Sequence, residues 1–327
     1  MASSRRDRQN PRFDQAAEQG NERSGPHLKL GTGRAIAHHG EILQGVFENE
    51  DGHLLRGLIT LPLAAQQSTA TYWPNGPGRI RTRPPGRGKA AKAAALTLKH
   101  LGFANIGGDL TIESDIPIGH GYGSSTADVV AAIRAVAAGA GVNLRCSTLS
   151  KLAVQAEGAS DAIAYGEQMV LFAHRQGDII EHLGGDYPPL QVVGFRSGGA
   201  RPIDTLNLPR ARYDQQQIAQ FKALRGLAFR AVKQQDPRLI GYVATASARI
   251  GQHHLAKPDL ETILNLAKAF DACGVQVSHS GTLMGVIFDP TEPGVVQRSR
   301  LLRDQLERSG YEGVITFFVN VDGVFRQ

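Results

Sequence analysis

The chain is poor in cysteine, tryptophan and methionine, with 2, 1 and 3 of them among 327 residues, and only 6% of it is aromatic. Two cysteines, Cys146 and Cys273, cannot build a disulfide framework. Both stand in apolar, helix-like surroundings, which predicts buried free thiols and fits a reducing, cytoplasmic setting. No apolar run reaches the length that spans a bilayer, which argues against a membrane role. Residues 1–26 carry Arg5, Arg6, Arg8, Arg12 and Arg23 among polar residues and have no apolar core segment, so they read as a disordered basic tail and not as a secretory signal. Other absences exclude chemistry. There is no Walker A lysine, no complete G-x-G-x-x-G, no H-E-x-x-H or cysteine cluster for zinc, and no G-x-S-x-G elbow.

What is present is a globular balance: 41% hydrophobic and 20% charged residues, enough for one large or two medium domains. The net charge of +6 suits anionic small molecules and also nucleic acid. The basic cluster Arg79, Arg81, Arg83, Arg87, Lys89 and Lys92 has no interleaved aromatics, which argues against nucleic acid. Patterning predicts strands over residues 28–37, 54–63, 67–73, 107–116, 165–172, 177–183, 190–195, 275–278, 284–288 and 313–321. It predicts helices over 89–101, 128–138, 147–157 (capped by Ser147 or Thr148), 215–234, 238–253, 260–273 and 293–309. Strands and helices do not alternate strictly, so the expected class is α+β and not a doubly wound sheet. A composition shift at residues 184–189 predicts two domains, 27–187 and 188–327.

The most informative segment is Pro117-Ile118-Gly119-His120-Gly121-Tyr122-Gly123-Ser124-Ser125-Thr126. It joins a strand ending near Ile118 to an alanine-rich helix. Backbone N–H groups at a helix start lack partners, and the helix dipole adds positive potential there, so the turn suits a phosphate. Ser124 and Ser125 add hydroxyls for capping, phosphate or a magnesium ion. Tyr122 between two glycines reads as a lid aromatic. Downstream, Glu157 and Asp161 stand four apart and would share one face if their helix continued, as a metal ligand and a proton acceptor. Taken by themselves, they fit better as two solvated charges at a helix end. The small residues Ser278, Ser280 and Gly281 around His279 allow close backbone approach to a ligand, or form a plain hairpin turn. The adjacent pairs His38-His39 and His253-His254 point in different directions and make poor metal ligands.

The order of Gly40-Glu41, the glycine-serine turn, the Glu157/Asp161 pair and Ser280-Gly281 resembles the GHMP kinase superfamily (galactokinase, homoserine, mevalonate and phosphomevalonate kinases), over residues 29–321. Residues 39–45, 203–206 and 279–282 are most similar to its L-threonine kinase branch. Arg34 stands where many members have lysine, and Thr282-Leu283-Met284 where others have more glycine. The resemblance implies a two-domain fold, ribosomal-protein-like then ferredoxin-like, and an ATP site without a Walker loop. Pro117, Gly119, Gly121, Gly123, Ser124, Ser125 and Thr126 would wrap the triphosphate. Ser125 (or Ser124) and Glu157 would hold Mg2+, and Asp161 would orient or deprotonate the acceptor hydroxyl. Glu41, Gln44 and His279 would face the substrate, with Glu41 on an ammonium and Arg34 or a backbone amide on a carboxylate. The implied substrate is L-threonine or a similar hydroxy-amino acid. Alternatives are another alcohol or sugar, an ATP-using decarboxylase (for which no clear cationic set is visible near the acceptor), or a nucleic-acid binder with related N-terminal architecture. A homodimer is an allowed assembly.

Overall fold

The computed structural model describes residues 28–49, 51–197, 212–279 and 281–321. The basic tail, residues 203–206 and Ser280 lie outside these. Two long antiparallel strands organise the molecule: β1 (Gly31–Glu48) and β2 (Leu54–Pro77). The sequence suggested two separate strands, 54–63 and 67–73, and none beyond residue 37. Both gaps are bulges within continuous strands. Ile36 pairs with Gln67 but Ala37 with Leu63, so residues 64–66 loop out of the ladder. Pro62, which cannot donate to a ladder, sits in this irregular stretch.

The remaining elements are β3 (Ile80–Arg83), α1 (Gly88–His100), β4 (Ile106–Ser114), α2 (Ser124–Gly139), α3 (Cys146–Glu157), a 3-10 turn (Ala162–Tyr165), β5 (Gln168–Ala173), β6 (Asp178–Asp186) and β7 (Leu190–Arg196). After these come α4 (Gln215–Gln234), α5 (Pro237–Gly251), α6 (Leu260–Ala269), β8 (Gly274–Val277), β9 (Leu283–Phe288), α7 (Val295–Arg308) and β10 (Glu312–Val319). One sheet runs β10-β7-β9-β8-β1-β2-β4-β3, with β5 and β6 branching from β2. Only β3–β4 is parallel among the pairs between described strands, as an α+β fold requires. The sheet is continuous across the composition shift, because β1 also pairs with β8 at Glu41 and Val277.

Helix α2 explains its own alanine content. It is walled by β1, β2, α1 and α3, so Ala127, Ala131, Ala132 and Ala135 are all fully buried. It lies so close to β1 that a Cβ on Gly33 would stand 2.3 Å from the Ala131 carbonyl oxygen. A second core, including Phe195, Ile263, Val286 and Leu302, sits under α6 and α7. Three sequence expectations fail locally. Helix α3 starts at Cys146 with Arg145 as its uncapped N-cap, so neither Ser147 nor Thr148 caps it. Helix α6 stops at Ala269 because Asp271 turns left-handed (φ 49°) and the Ala272 N–H returns to Ala267. Cys273 therefore lies in a turn, and both thiols are free but only half-buried. No helix among the described residues is long and apolar enough to cross a membrane.

Candidate active site

Strand β4 ends at Ser114, and Ile118 is an exposed loop residue instead of a strand end. The glycine-serine turn then enters α2 four residues earlier than the pattern suggested. Gly123 is the N-cap, in left-handed conformation (φ 72°), and no side chain caps the helix. A Cβ there would meet His38 Cδ2 at 2.2 Å, so glycine satisfies both the backbone and its neighbour. The first intrahelical bond runs from Ala127 N–H to Gly123. The N–H groups that precede it have no partner within the helix. Ser124 Oγ is buried with no hydrogen-bond partner. Tyr122 is no lid: it is 3% exposed and packs edge-on against His39. From the C-terminal half, Thr282 N–H donates to the His120 carbonyl at 3.1 Å, and Gly281 lies against Gly121.

The two carboxylates do not share a helix face. Helix α3 ends at Glu157, Gly158 is left-handed (φ 88°), and Asp161 is extended. They converge through Thr126, whose Oγ1 lies 3.0 Å from Glu157 Oε1 and 3.3 Å from Asp161 Oδ2. One hydroxyl proton serves one of them at a time. Ser125 Oγ donates to Glu157 Oε2 at 3.2 Å. Burial, then the Asp161 charge, pushes the Glu157 carboxyl up to about 7. Asp161 moves the other way. Burial would raise it, but the charge and hydrogen bond of His38, 3.0 Å away, hold it well below the usual carboxylate range.

His38 is thus central, although its sequence context marked it only as half of a poor metal pair. On a regular strand, residues 38 and 41 would face opposite sides. The register shift between His38 and Glu41 brings both to one side, while His39 turns into the core against Phe317 and Gln276. Burial lowers the His38 pKa, but Asp161 and then Glu41 more than offset this and raise it. Glu41 does not line the cavity. Its two oxygens accept from the backbone N–H and the Nδ1 of His279, both at 2.6 Å. Burial would lower the His279 pKa, and the Glu41 charge and hydrogen bond push it up to about 9. Glu41 therefore stands behind His279 and outside the lining of the cavity described next. Buried Lys257, which the sequence did not flag, donates Nζ–H to the Gly281 carbonyl and is pushed down to about 8 by burial.

A cavity of about 580 Å³ collects these groups. Pro117, Gly119, Gly121, Gly123, Ser124, Ser125, Thr126, Glu157, Asp161, Gln44 and His279 all line it. Arg34 does not; it is exposed on β1, with its carbonyl taken by Arg134. Of the basic cluster, Lys89 lines the cavity, whereas Arg87 and Arg81 pair with Asp128 and Asp109. The sequence showed no cationic set near an acceptor, but folding places Arg56, His174, Arg175 and His254 among the residues that line the cavity.

The GHMP kinases N terminal domain matches residues 89–167 and the GHMP kinases C terminal domain residues 228–301. Both GHMP kinase domains, N terminal and C terminal, are thus matched in order along this chain. The structure agrees in fold with homoserine kinase of Cytophaga hutchinsonii (TM-score 0.66, 17% identity, 95% of this chain and 98% of that one). It also agrees with mevalonate kinase of Staphylococcus aureus (TM-score 0.56, 15% identity, 90% and 100%). In sequence it is 30% identical over 203 residues to the L-threonine kinase of Salmonella typhimurium, covering 60% of this chain and 65% of that protein. It is 32% identical over 182 residues to that of Citrobacter freundii, covering 55% and 62%. The matched region thus spans less than two thirds of each of these relatives.

Proposed function

We propose that this GHMP-family chain is an ATP-dependent small-molecule kinase that phosphorylates the side-chain hydroxyl of L-threonine or a similar hydroxy-amino acid. The carrying observation is the convergence of Ser125, Thr126, Glu157 and Asp161 in front of an uncapped helix N-terminus. The names of the sequence relatives favour threonine among hydroxy-amino acids. The residues fit ATP with Mg2+. Ser124 Oγ is a buried hydroxyl without a partner, the glycine turn leaves backbone N–H groups outward, and Lys89 adds a cation. Gly119, Gly121, Gly123 and Ser124 would hold the phosphates, and Ser125 with Glu157 would hold the metal ion. Mg·ATP supplies the transferable phosphoryl group and neutralises charge on it.

The chain's own residues then position the acceptor. Asp161, kept ionised by His38, accepts a hydrogen bond from the acceptor hydroxyl and aims its oxygen. A carboxylate held so far below its usual range is a weak base, so its contribution is orientation more than proton removal. That is adequate for phosphoryl transfer, which depends chiefly on positioning and charge stabilisation. A coupled ADP-release screen over L-threonine, L-serine, L-homoserine, D-threonine and simple amino alcohols tests the reading. Turnover with L-threonine supports it; silence across the panel sinks the threonine assignment.

A further inference from the structure

The glycine turn beside the cavity is held from behind by the C-terminal half of the chain. Gly119, Gly121 and Gly123 alternate along it with φ of 87°, 98° and 72°. Such residues make a short segment permissive, and a turn that nothing fixes loses more conformational freedom when it takes up a ligand. The contacts that fix it come from the end of β7 and the approach to β9. The His120 carbonyl accepts from Thr282 N–H at 3.1 Å, and the Thr282 carbonyl accepts from Ser197 N–H at 2.8 Å. Gly281 packs so closely here that a Cβ on it would stand 2.3 Å from the His120 carbonyl oxygen. Buried Lys257 donates to the Gly281 carbonyl.

One side chain of this support reaches a side chain of the turn. Arg196 ends β7, where it pairs with Leu283 of β9 on one side and Glu312 of β10 on the other. Its Nη1 lies 3.1 Å from His120 Nε2, and its Nη2 donates to Glu312 Oε2 at 2.9 Å. Arginine has donors and no acceptor, so His120 Nε2 accepts, and the neutral ring carries its proton on Nδ1. Burial and then the Arg196 charge lower the His120 pKa, with Glu312 opposing, which favours that neutral form. Every other residue from 117 to 126 lines the cavity, and His120 does not. Its side chain meets Arg196 instead.

We propose that Arg196 is a positioning residue for the nucleotide's phosphates: through His120 it holds the glycine turn in the shape that receives them. The C-terminal half of the chain then sets the affinity of a site built in the N-terminal half. The proposal rests on the kinase reading above and adds to it a residue that touches neither nucleotide nor acceptor. Arginine suits the task because separate nitrogens of one rigid plane reach His120 and Glu312 together, which fixes the direction of the Nη1 donor. A turn ordered in advance spares the nucleotide the cost of ordering it.

The test uses the full chain and two readouts: calorimetric binding of Mg·AMP-PNP, a non-hydrolysable ATP analogue, and steady-state ADP release with ATP and L-threonine. Wild type is compared with Arg196→Met, His120→Ala, the double variant and Glu312→Gln. Arg196→Met and His120→Ala should each weaken analogue binding and raise the ATP KM by about fivefold or more, with kcat and the L-threonine KM within about twofold. The double variant should be no weaker than the weaker single, because both remove the same contact. Glu312→Gln, at a side chain 74% exposed, should change neither readout by more than about twofold. His120→Ala lies in a turn between two glycines and carries the test if Arg196→Met does not fold. Unchanged analogue binding in either single variant overturns the proposal. An equal rise in the L-threonine KM also overturns it, because that marks a general loosening between the two halves. Additive losses in the double variant overturn it too, because Arg196 would then not act through His120. Weakened analogue binding in the single variants, with no ADP release from wild type and L-threonine, keeps Arg196 in its role at a nucleotide site and defeats the threonine-kinase reading. No binding of the analogue by wild type overturns both.

Discussion

Replacing His279 with asparagine removes the charged partner of a carboxylate that has no exposed surface of its own. The His279 ring lies 2.6 Å from Glu41 and is 29% exposed. Its pKa rises from the ordinary 6.5 to about 9. At about 1.36 kcal/mol per pH unit that interval corresponds to roughly 3 kcal/mol. Breaking a buried ion pair costs about 3–5 kcal/mol, and partial solvent screening favours the lower end, so about 2–3 kcal/mol is expected. The sign follows from a raised folded-state pKa. The stabilisation is complete below 6.5 and disappears as pH rises through about 9. Lys257 acts oppositely. Its folded-state pKa is lowered from 10.5 to about 8, so its burial penalty fades between those values. That contribution is present in both proteins and drops out of the difference. Urea midpoints for wild type and His279→Asn at about pH 6, 7.5 and 9.5 give the comparison. The stability difference should be about 2–3 kcal/mol at the lowest pH and close to zero at the highest. A difference that does not change with pH would refute the ion-pair argument and leave only a packing effect.

Asp161→Asn is expected to lower kcat by roughly a hundredfold or more while the ATP KM stays within about twofold. Equal losses in both, measured in steady-state ADP release, would remove Asp161 from the acceptor side. Glu157→Gln should raise the Mg2+ concentration needed for half-maximal activity by about tenfold, and an unchanged magnesium titration would take Glu157 out of the metal shell. Asp128→Ala strands Arg87 and Ser68, which bond to its carboxylate at 2.6 and 2.7 Å. It should cost about 2–4 kcal/mol in urea unfolding, and a loss under about 0.5 kcal/mol would mean that the pair is idle.

The glycine-serine turn was legible because its chemistry is local. Backbone N–H groups, left-handed glycines and adjacent hydroxyls belong to one short segment, and the helix start lies next to it. The pairing of Glu157 with Asp161 was legible in outcome but not in geometry. A continuous helix would have aligned them, whereas Gly158 ends it and Thr126, from another helix, draws them together. Glu41 was read as facing a substrate, but its carboxylate pairs with His279, which is 238 positions away in the chain. Nothing in the local pattern around Arg56, His174 or His254 marks them, since each belongs to an ordinary strand end or turn.

The sequence alone determined the α+β class, the glycine turn that opens a helix at Ser124 and the resemblance to the GHMP kinases, and the first two rest on residues near one another in the chain. The tertiary structure decided the rest. It set His38 against Asp161 through a strand bulge, placed Glu41 behind His279, and brought Arg56 of β2 and His174 of the turn after β5 to one cavity. Charge balance in a cavity is a property of space and not of order along the chain: Coulomb interactions depend on distance, and only the folded sheet fixes the distances between these groups.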